Sequence, residues 1–126
     1  MVPKKYLKLN DLNAYKISFH LSNYTWVTIL KWDYFSKNTV GMQYARAIDS
    51  ISANIAEGFG RYGRKDKIKF YYYSFGSLNE SLDWTEKAYR RDLLSQEQYK
   101  YILSELKKLP QEINHLINFT KNKLEK

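Results

Sequence analysis

Apolar residues recur along this chain three and four positions apart, the spacing that lines one side of an α-helix. The pattern is cleanest toward the C-terminus, where Tyr99, Ile102, Leu103, Leu106, Leu109, Ile113, Leu116, Ile117 and Leu124 fall on one stripe. Glycine and proline are few and clustered, which leaves room for four long helices. The first is expected from about Asp11 to Phe35, with Asn10 or Asp11 placed to cap it. The second spans about Thr39 to Glu57 and ends at Gly58, a residue suited to the left-handed conformation that follows a helix. The third spans about Arg64 to Arg91, behind Gly63 as N-cap and with Asp66 in its first turn. The fourth opens at Ser95, where Ser-x-x-Gln to Gln98 is a capping-box pattern, and continues to about Lys123. Pro110 removes one backbone donor inside this helix, which predicts a kink near Lys107 to Leu109. The stretch NYTWVTIL, residues 23–30, is the one place where β-branched residues admit a strand.

Two of the helices carry apolar residues on more than one side. On the third, Ile68, Tyr71, Phe75, Leu78, Leu82 and Tyr89 make one stripe, and Phe70, Tyr73, Ser77, Trp84 and Ala88 make another nearly opposite. On the first, Leu12, Tyr15, Phe19, Trp26 and Leu30 oppose Ile17, Leu21, Tyr24, Trp32 and Phe35. A helix of an isolated four-helix bundle buries one face. The surplus stripes are either a broad aromatic core, with tyrosine hydroxyls kept in water, or contacts between copies of the chain; self-association accounts better for so many rings.

Composition narrows the picture. A chain of 126 residues with 44% hydrophobic content fits a single domain, 1–126, and holds no apolar run long enough to span a membrane. The lysine-bearing start lacks the apolar run of a secretory leader. Cysteine is absent and the two histidines, His20 and His115, are isolated, so disulfides and thiolate or zinc sites are not expected, and no cofactor is implied. These features suit a soluble, cytoplasmic protein. Charge changes the expectation most: 21 Lys and Arg against 13 Asp and Glu give +8, a field that attracts polyanions such as nucleic acid.

The stretch SISANIAEGFGRYGRKDK, residues 50–67, contains a G-x-G-x-x-G string from Gly58 to Gly63. A dinucleotide cradle needs that string between a strand and a helix. Here it follows a helix, so a turn is the simpler reading, with Gly58 ending one helix and Gly60 and Gly63 letting the chain reverse. Within the second helix Arg46, Ser50, Asn54, Glu57 and Arg61 share one side. This polar stripe is either a solvated face or a structural hydrogen-bond network, in which Glu57 accepts from Arg46 or Arg61 and Ser50 and Asn54 meet Ser77 and Glu80 near Gly76. A carboxylate pair such as Glu57 and Glu80 has the groups for acid–base work, but no histidine base, nucleophile motif or metal spacing accompanies it, so no enzyme is expected. The basic run Arg61, Arg64, Lys65, Lys67 and Lys69 opens the third helix, where cations oppose the helix dipole. With Lys87, Arg90 and Arg91 it makes the candidate phosphate-contact set. Lys4, Lys5 and Lys8 add to the charge, and the sequence leaves open whether these groups form one patch or two.

YARAIDSISANIAEGFGR, residues 44–61, and GSLNESL, residues 76–82, resemble the four-helix bundle proteins of the 23S rRNA intervening-sequence family, which are similar to the accessory variability determinant of diversity-generating retroelements. Two departures stand out: Ser52 occupies a position where proline is usual, and Phe75 one where a basic residue is expected before Gly76. The resemblance implies an antiparallel up-down bundle assembling as a homopentameric ring, and carries over Arg46, Ser50, Asn54, Glu57, Gly58, Arg61, Gly76, Ser77 and Glu80 as motif positions. The combined expectation is a non-enzymatic, basic, homo-oligomeric bundle that binds RNA or DNA through backbone phosphates. Its rival is a protein-interaction scaffold, an adaptor for a reverse transcriptase or a ribosome-associated partner.

Overall fold

The computed structural model describes residues 7–123, and every regular element among them is helical. A 3-10 turn, Leu9–Asp11, leads into α1 (Asn13–Leu30). A single α-turn, Tyr34–Ser36, continues through a π-helical segment, Lys37–Gly41, into α2 (Met42–Gly60). The remaining helices are α3 (Arg64–Arg90) and α4 (Gln96–Lys123). Each long helix packs against the next and α4 also packs against α1, so the four form a helical bundle around one shared core.

That core is built from an exchange of volume. The helices α2 and α4 fill it with large side chains: Tyr44, Ile48, Ile51 and Ile55 from one, Ile102, Leu106, Leu109 and Ile113 from the other, all fully buried. The innermost line of α1 is instead Ala14, Ser18, Leu21, Thr25 and Thr28, and that of α3 is Tyr71, Ser74, Leu78, Ser81, Thr85 and Ala88. Both lines keep strict spacings of three and four, and both are dominated by small or hydroxyl-bearing residues.

Burying a hydroxyl without a partner would cost about 1–3 kcal/mol, and here nearly every one is satisfied inside its own helix. Ser18 donates to the Ala14 carbonyl at 2.7 Å, Thr25 to Leu21 at 2.9 Å, Thr28 to Tyr24 at 2.9 Å, and Ser81 to Ser77 at 2.7 Å. Ser74 reaches across to the Ile51 carbonyl at 2.9 Å. Thr85 donates to the Ser81 carbonyl at 2.7 Å, which leaves its oxygen to accept from the Tyr44 hydroxyl, also at 2.7 Å. Burial pushes the Tyr71 hydroxyl pKa up to about 12 and that of Tyr44 higher still, so both rings stay neutral.

Of the stripes expected on α1 and α3, Leu21, Tyr71, Leu78 and Ala88 lie on the innermost lines themselves, and the other large residues flank them. Large residues displaced from the seam lie half-buried at its edges, as Tyr15, Ile17, Tyr24, Ile68, Phe75, Leu82 and Trp84 do, or spill into solvent, as Phe19, Trp26, Leu30 and Tyr73 do. The α4 stripe is buried as expected at six positions from Ile102 to Ile117, whereas Leu124 lies outside the described residues. Residues 23–30 are helical, and the strand reading is set aside.

Several boundaries differ from expectation. The first helix stops at Leu30 rather than Phe35, because Asp33 begins a new helical turn: its carboxylate accepts from the Ser36 amide at 2.9 Å and the Ser36 hydroxyl at 2.8 Å. Those bonds hold the Asp33 pKa below the ordinary carboxylate value. Neither Asn10 nor Asp11 caps α1; Leu12 takes that position, and Asp11 instead accepts the Lys8 amide at 2.8 Å. Ser95 and Gln98 do form the reciprocal capping box of α4, at 2.9 and 3.1 Å. That helix runs through Pro110 without interruption.

Gly58 is the most informative correction. It does not end α2, which continues to Gly60, and no glycine among the described residues has a positive φ. A Cβ at Gly58 would lie 2.7 Å from a Tyr71 ring carbon and 2.9 Å from the Lys67 carbonyl oxygen, so the residue is glycine because α3 crosses α2 there at backbone distance. Gly76, expected to permit close approach, has nothing within 4 Å of its would-be Cβ.

Two outcomes follow for stability. Gly58→Ala should lower it by about 1–3 kcal/mol through overpacking, while Gly76→Ala, on an exposed helix interior, should raise it by about 0.5–1 kcal/mol; urea unfolding of both variants checks the contrast, and equal effects would contradict it. Thr85→Val should cost about 1–3 kcal/mol by stranding the Tyr44 hydroxyl, and adding Tyr44→Phe should recover most of that loss. A double variant no more stable than the single one would show that the buried bond contributes nothing.

Candidate nucleic-acid interface

The site grows from the three residues that join α2 to α3. Arg61 leaves α2 in an extended conformation (φ −75, ψ 153) with its amide on the Gly58 carbonyl at 3.1 Å, and Gly63 (φ −86, ψ 147) precedes α3 in the same region. Extended residues on both sides of Tyr62, rather than left-handed glycines, turn the chain. The connection is clamped from both helices. The Arg61 guanidinium lies 3.0 Å from Glu57, 3.6 Å from Asp66 and 4.5 Å above the Phe70 ring, and its Nε is buried without a hydrogen-bond partner. Lys67 donates to the Phe59 carbonyl at 2.7 Å, satisfying an acceptor in the last turn of α2, and burial lowers its pKa.

The eight basic residues singled out from the sequence therefore divide by role. Arg61 and Lys67 are spent on holding the turn. Lys69 makes a surface pair with Asp66 at 3.3 Å, and Lys65 is exposed. Arg64 reaches the Lys121 carbonyl on α4 at 3.5 Å, which brings the end of α4 to the start of α3. Lys87 pairs with Asp83 at 2.7 Å and lies over the Trp84 ring at 4.6 Å, while Arg90 and Arg91 are exposed. Since α3 has 27 residues, at 1.5 Å per residue about 40 Å separates its two termini. The charge is split between two ends of the bundle. Lys4 and Lys5 lie outside the described residues.

The polar stripe of α2 is joined only in part. Asn54 donates to the Ser50 carbonyl at 2.9 Å and approaches the Ser77 hydroxyl at 3.4 Å, and Glu57 takes Arg61 rather than Arg46. Ser50 bonds the Arg46 carbonyl at 2.7 Å, and Glu80 accepts from the Trp84 indole at 3.2 Å instead of meeting Ser50 or Asn54. Glu57 and Glu80 are both exposed and engaged by different partners. Among the described residues no group of three or more His, Asp or Glu side chains could hold a metal ion, and no helix is long and apolar enough to cross a membrane.

Two residues at this end escaped the sequence reading. Lys121 joins it only through the packing of α4 on α3, which no local pattern announces. Tyr62 is fully exposed in the clamped turn. Its position between two arginines in a glycine-rich connection was the available signal.

Comparison with known proteins places these features in a group. A crystal structure described as a protein of unknown function from the S23 ribosomal protein family of Bacteroides thetaiotaomicron VPI-5482 is 24% identical and superposes with a TM-score of 0.68, over 82% of this chain and 97% of that one. At that identity the likeness speaks for the fold. No curated protein matches. Residues 10–115 match the family model described as 23S rRNA-intervening sequence protein, a span that holds α1 to α3, α4 as far as His115, the clamped turn and the α2 polar stripe. The chain belongs to the 23S rRNA-intervening sequence protein family.

Proposed function

We propose that this protein is a non-enzymatic, homo-oligomeric helical bundle that binds nucleic acid, RNA above all, through backbone phosphates. The observation that carries the reading is the basic end of the bundle, where Arg64, Lys65, Lys69 and Lys121 gather around the α2–α3 turn. A family whose description names a 23S rRNA insertion favours RNA as the polyanion. Contacts of this kind position a ligand without reading its bases.

Self-association is supported by two unlike aromatic faces. One follows the α1–α2 groove, with Phe19, Trp26 (53% exposed), Leu30 and Met42; the other follows α3, with Phe70, Tyr73 (50% exposed) and Trp84. Joining one face to a different face of the next copy generates rings when the rotation closes. The family resemblance implies five copies, and five chains of +8 pool a formal +40. The helices alternate in direction in this reading, supported by partners on α2 and α3 whose numbers rise on one helix as they fall on the other: Tyr44 with Thr85, Ile51 with Ser74, Gly58 with Tyr71. A bend of α4 near Lys107 to Leu109 goes with this reading, since Pro110 inside the helix lacks the amide that would bond the Leu106 carbonyl. A cytoplasmic location accords with an rRNA-related partner.

A second reading rests on the other end of the molecule. A cleft of about 570 Å³ there is lined by Phe35 (74% exposed), Val40, Gln43, Trp84, Arg91 and Leu93. It suits a protein partner, such as the reverse transcriptase implied by the likeness to retroelement accessory proteins or a ribosome-associated protein. Binding that survives nuclease and is lost in Trp84→Ala would favour it.

The primary reading makes a linked set of outcomes. Sedimentation should give a species near five times 15.1 kDa, reduced to smaller species by Trp26→Glu. RNA affinity should fall steeply with salt, log K dropping by about 0.7 per phosphate neutralised on single strands and about 0.9 on B-form duplex DNA. Lys65→Ala should weaken binding without loss of stability, whereas Lys67→Ala should destabilise the fold by removing the bond to Phe59. No RNA retention at low salt would overturn the reading.

A further inference from the structure

Resting on the RNA-binding reading, we infer that the α2–α3 turn is a stacking platform for an unpaired base, so that the preferred ligand is single-stranded RNA rather than duplex. Tyr62 is 100% exposed, whereas the other tyrosines of this region, such as Tyr71 and Tyr73, pack into the core or against a neighbouring ring. Its own ring makes no stacking or edge contact with another aromatic residue among the described ones. Nothing in the fold requires an aromatic side chain at that position.

The turn is nonetheless rigidly built. Arg61 is held by Glu57, Asp66 and Phe70 on one side of Tyr62, and the amide of Lys67 bonds the Gly63 carbonyl at 3.0 Å on the other. The Lys67 side chain ties α3 back to Phe59. A ring carried by a clamped backbone loses little freedom on binding, which is the condition under which stacking yields affinity.

The flanking glycines point the same way. Gly60 and Gly63 have no positive φ and no atom within 4 Å of a would-be Cβ, so neither conformation nor packing demands glycine. Alanine at Gly60, the last residue of α2, would favour the helix. What glycine supplies is bare backbone on both sides of Tyr62, over which a flat base can settle. Lys65, exposed and three residues on from Tyr62, supplies a cation for a phosphate next to that base. A base is accessible for this only where RNA is unpaired, since A-form helices bury base faces in their stacks.

The test is fluorescence anisotropy with a labelled oligouridine and an RNA duplex of matching length, using the full chain in its native assembly. Tyr62→Ala should weaken oligouridine binding about tenfold or more, leave duplex binding within about twofold, and leave the salt slope unchanged because the phosphate contacts remain. Tyr62→Phe should retain wild-type affinity. Gly60→Ala should keep or raise thermal stability while lowering oligouridine affinity. Equal losses on single strand and duplex, or no loss from Tyr62→Ala where Lys65→Glu weakens both ligands, would overturn the stacking role and leave phosphate binding standing. Failure of the wild-type protein to bind either RNA would overturn both.

Discussion

The inner faces of α1 and α3 hold space open and those of α2 and α4 fill it. Ala14, Ser18, Thr25, Ser74, Ser81 and Thr85 leave room for Tyr44, the isoleucines of α2 and the Ile102–Ile113 stripe of α4. The arrangement works because hydroxyls at helical spacing can bond the carbonyl four residues back, so polar side chains are buried without an unsatisfied donor. It also has a consequence for the surface. Rings excluded from the narrow seams must go to their edges, and at Phe19, Trp26 and Tyr73 the edge is solvent. The exposed rings of α1 and α3 are thus a by-product of how the interior is packed.

At the Gly58–Tyr71 crossing the exchange reverses: α3 supplies the large group and α2 supplies nothing beyond backbone. This places the end of α2 and the start of α3 close enough for Lys67 to cap Phe59 and for Arg61 to bridge Glu57, Asp66 and Phe70. Basic residues at a helix N-terminus oppose its dipole, and here two of the five are compensated by that clamp. Of the other three, Lys69 pairs with Asp66 and Arg64 reaches the Lys121 carbonyl, while Lys65, like Tyr62, is exposed beside the clamped turn.

The sequence made the α4 stripe, the Ser95 capping box and the all-helical class legible, because each depends on residues within one turn of each other. Less local features were misread. The stripes of α1 and α3 were located by their largest residues, whereas the buried lines set Ser18, Thr25, Thr28, Ser74, Ser81 and Thr85, which composition scales count as polar, between Leu21, Tyr71, Leu78 and Ala88. Asp33 does not stand out as a cap in the sequence because the stripe through Trp32 and Phe35 carries the first helix past it. Gly58 was assigned a conformational role when its role is steric, and only the position of Tyr71 on another helix distinguishes the two. Of the eight cations, no local pattern separated Arg61 and Lys67, which hold the turn, from Lys65, which does not.

The packing claim is tested most directly by urea unfolding of Ser81→Leu. Ser81 is fully buried, and its hydroxyl is satisfied by its own helix. If the seam is as closely filled as described, the larger side chain has nowhere to go, and stability should fall by about 2 kcal/mol or more. A variant as stable as the wild type, or more so, would mean that the interior has room to spare and would contradict the account.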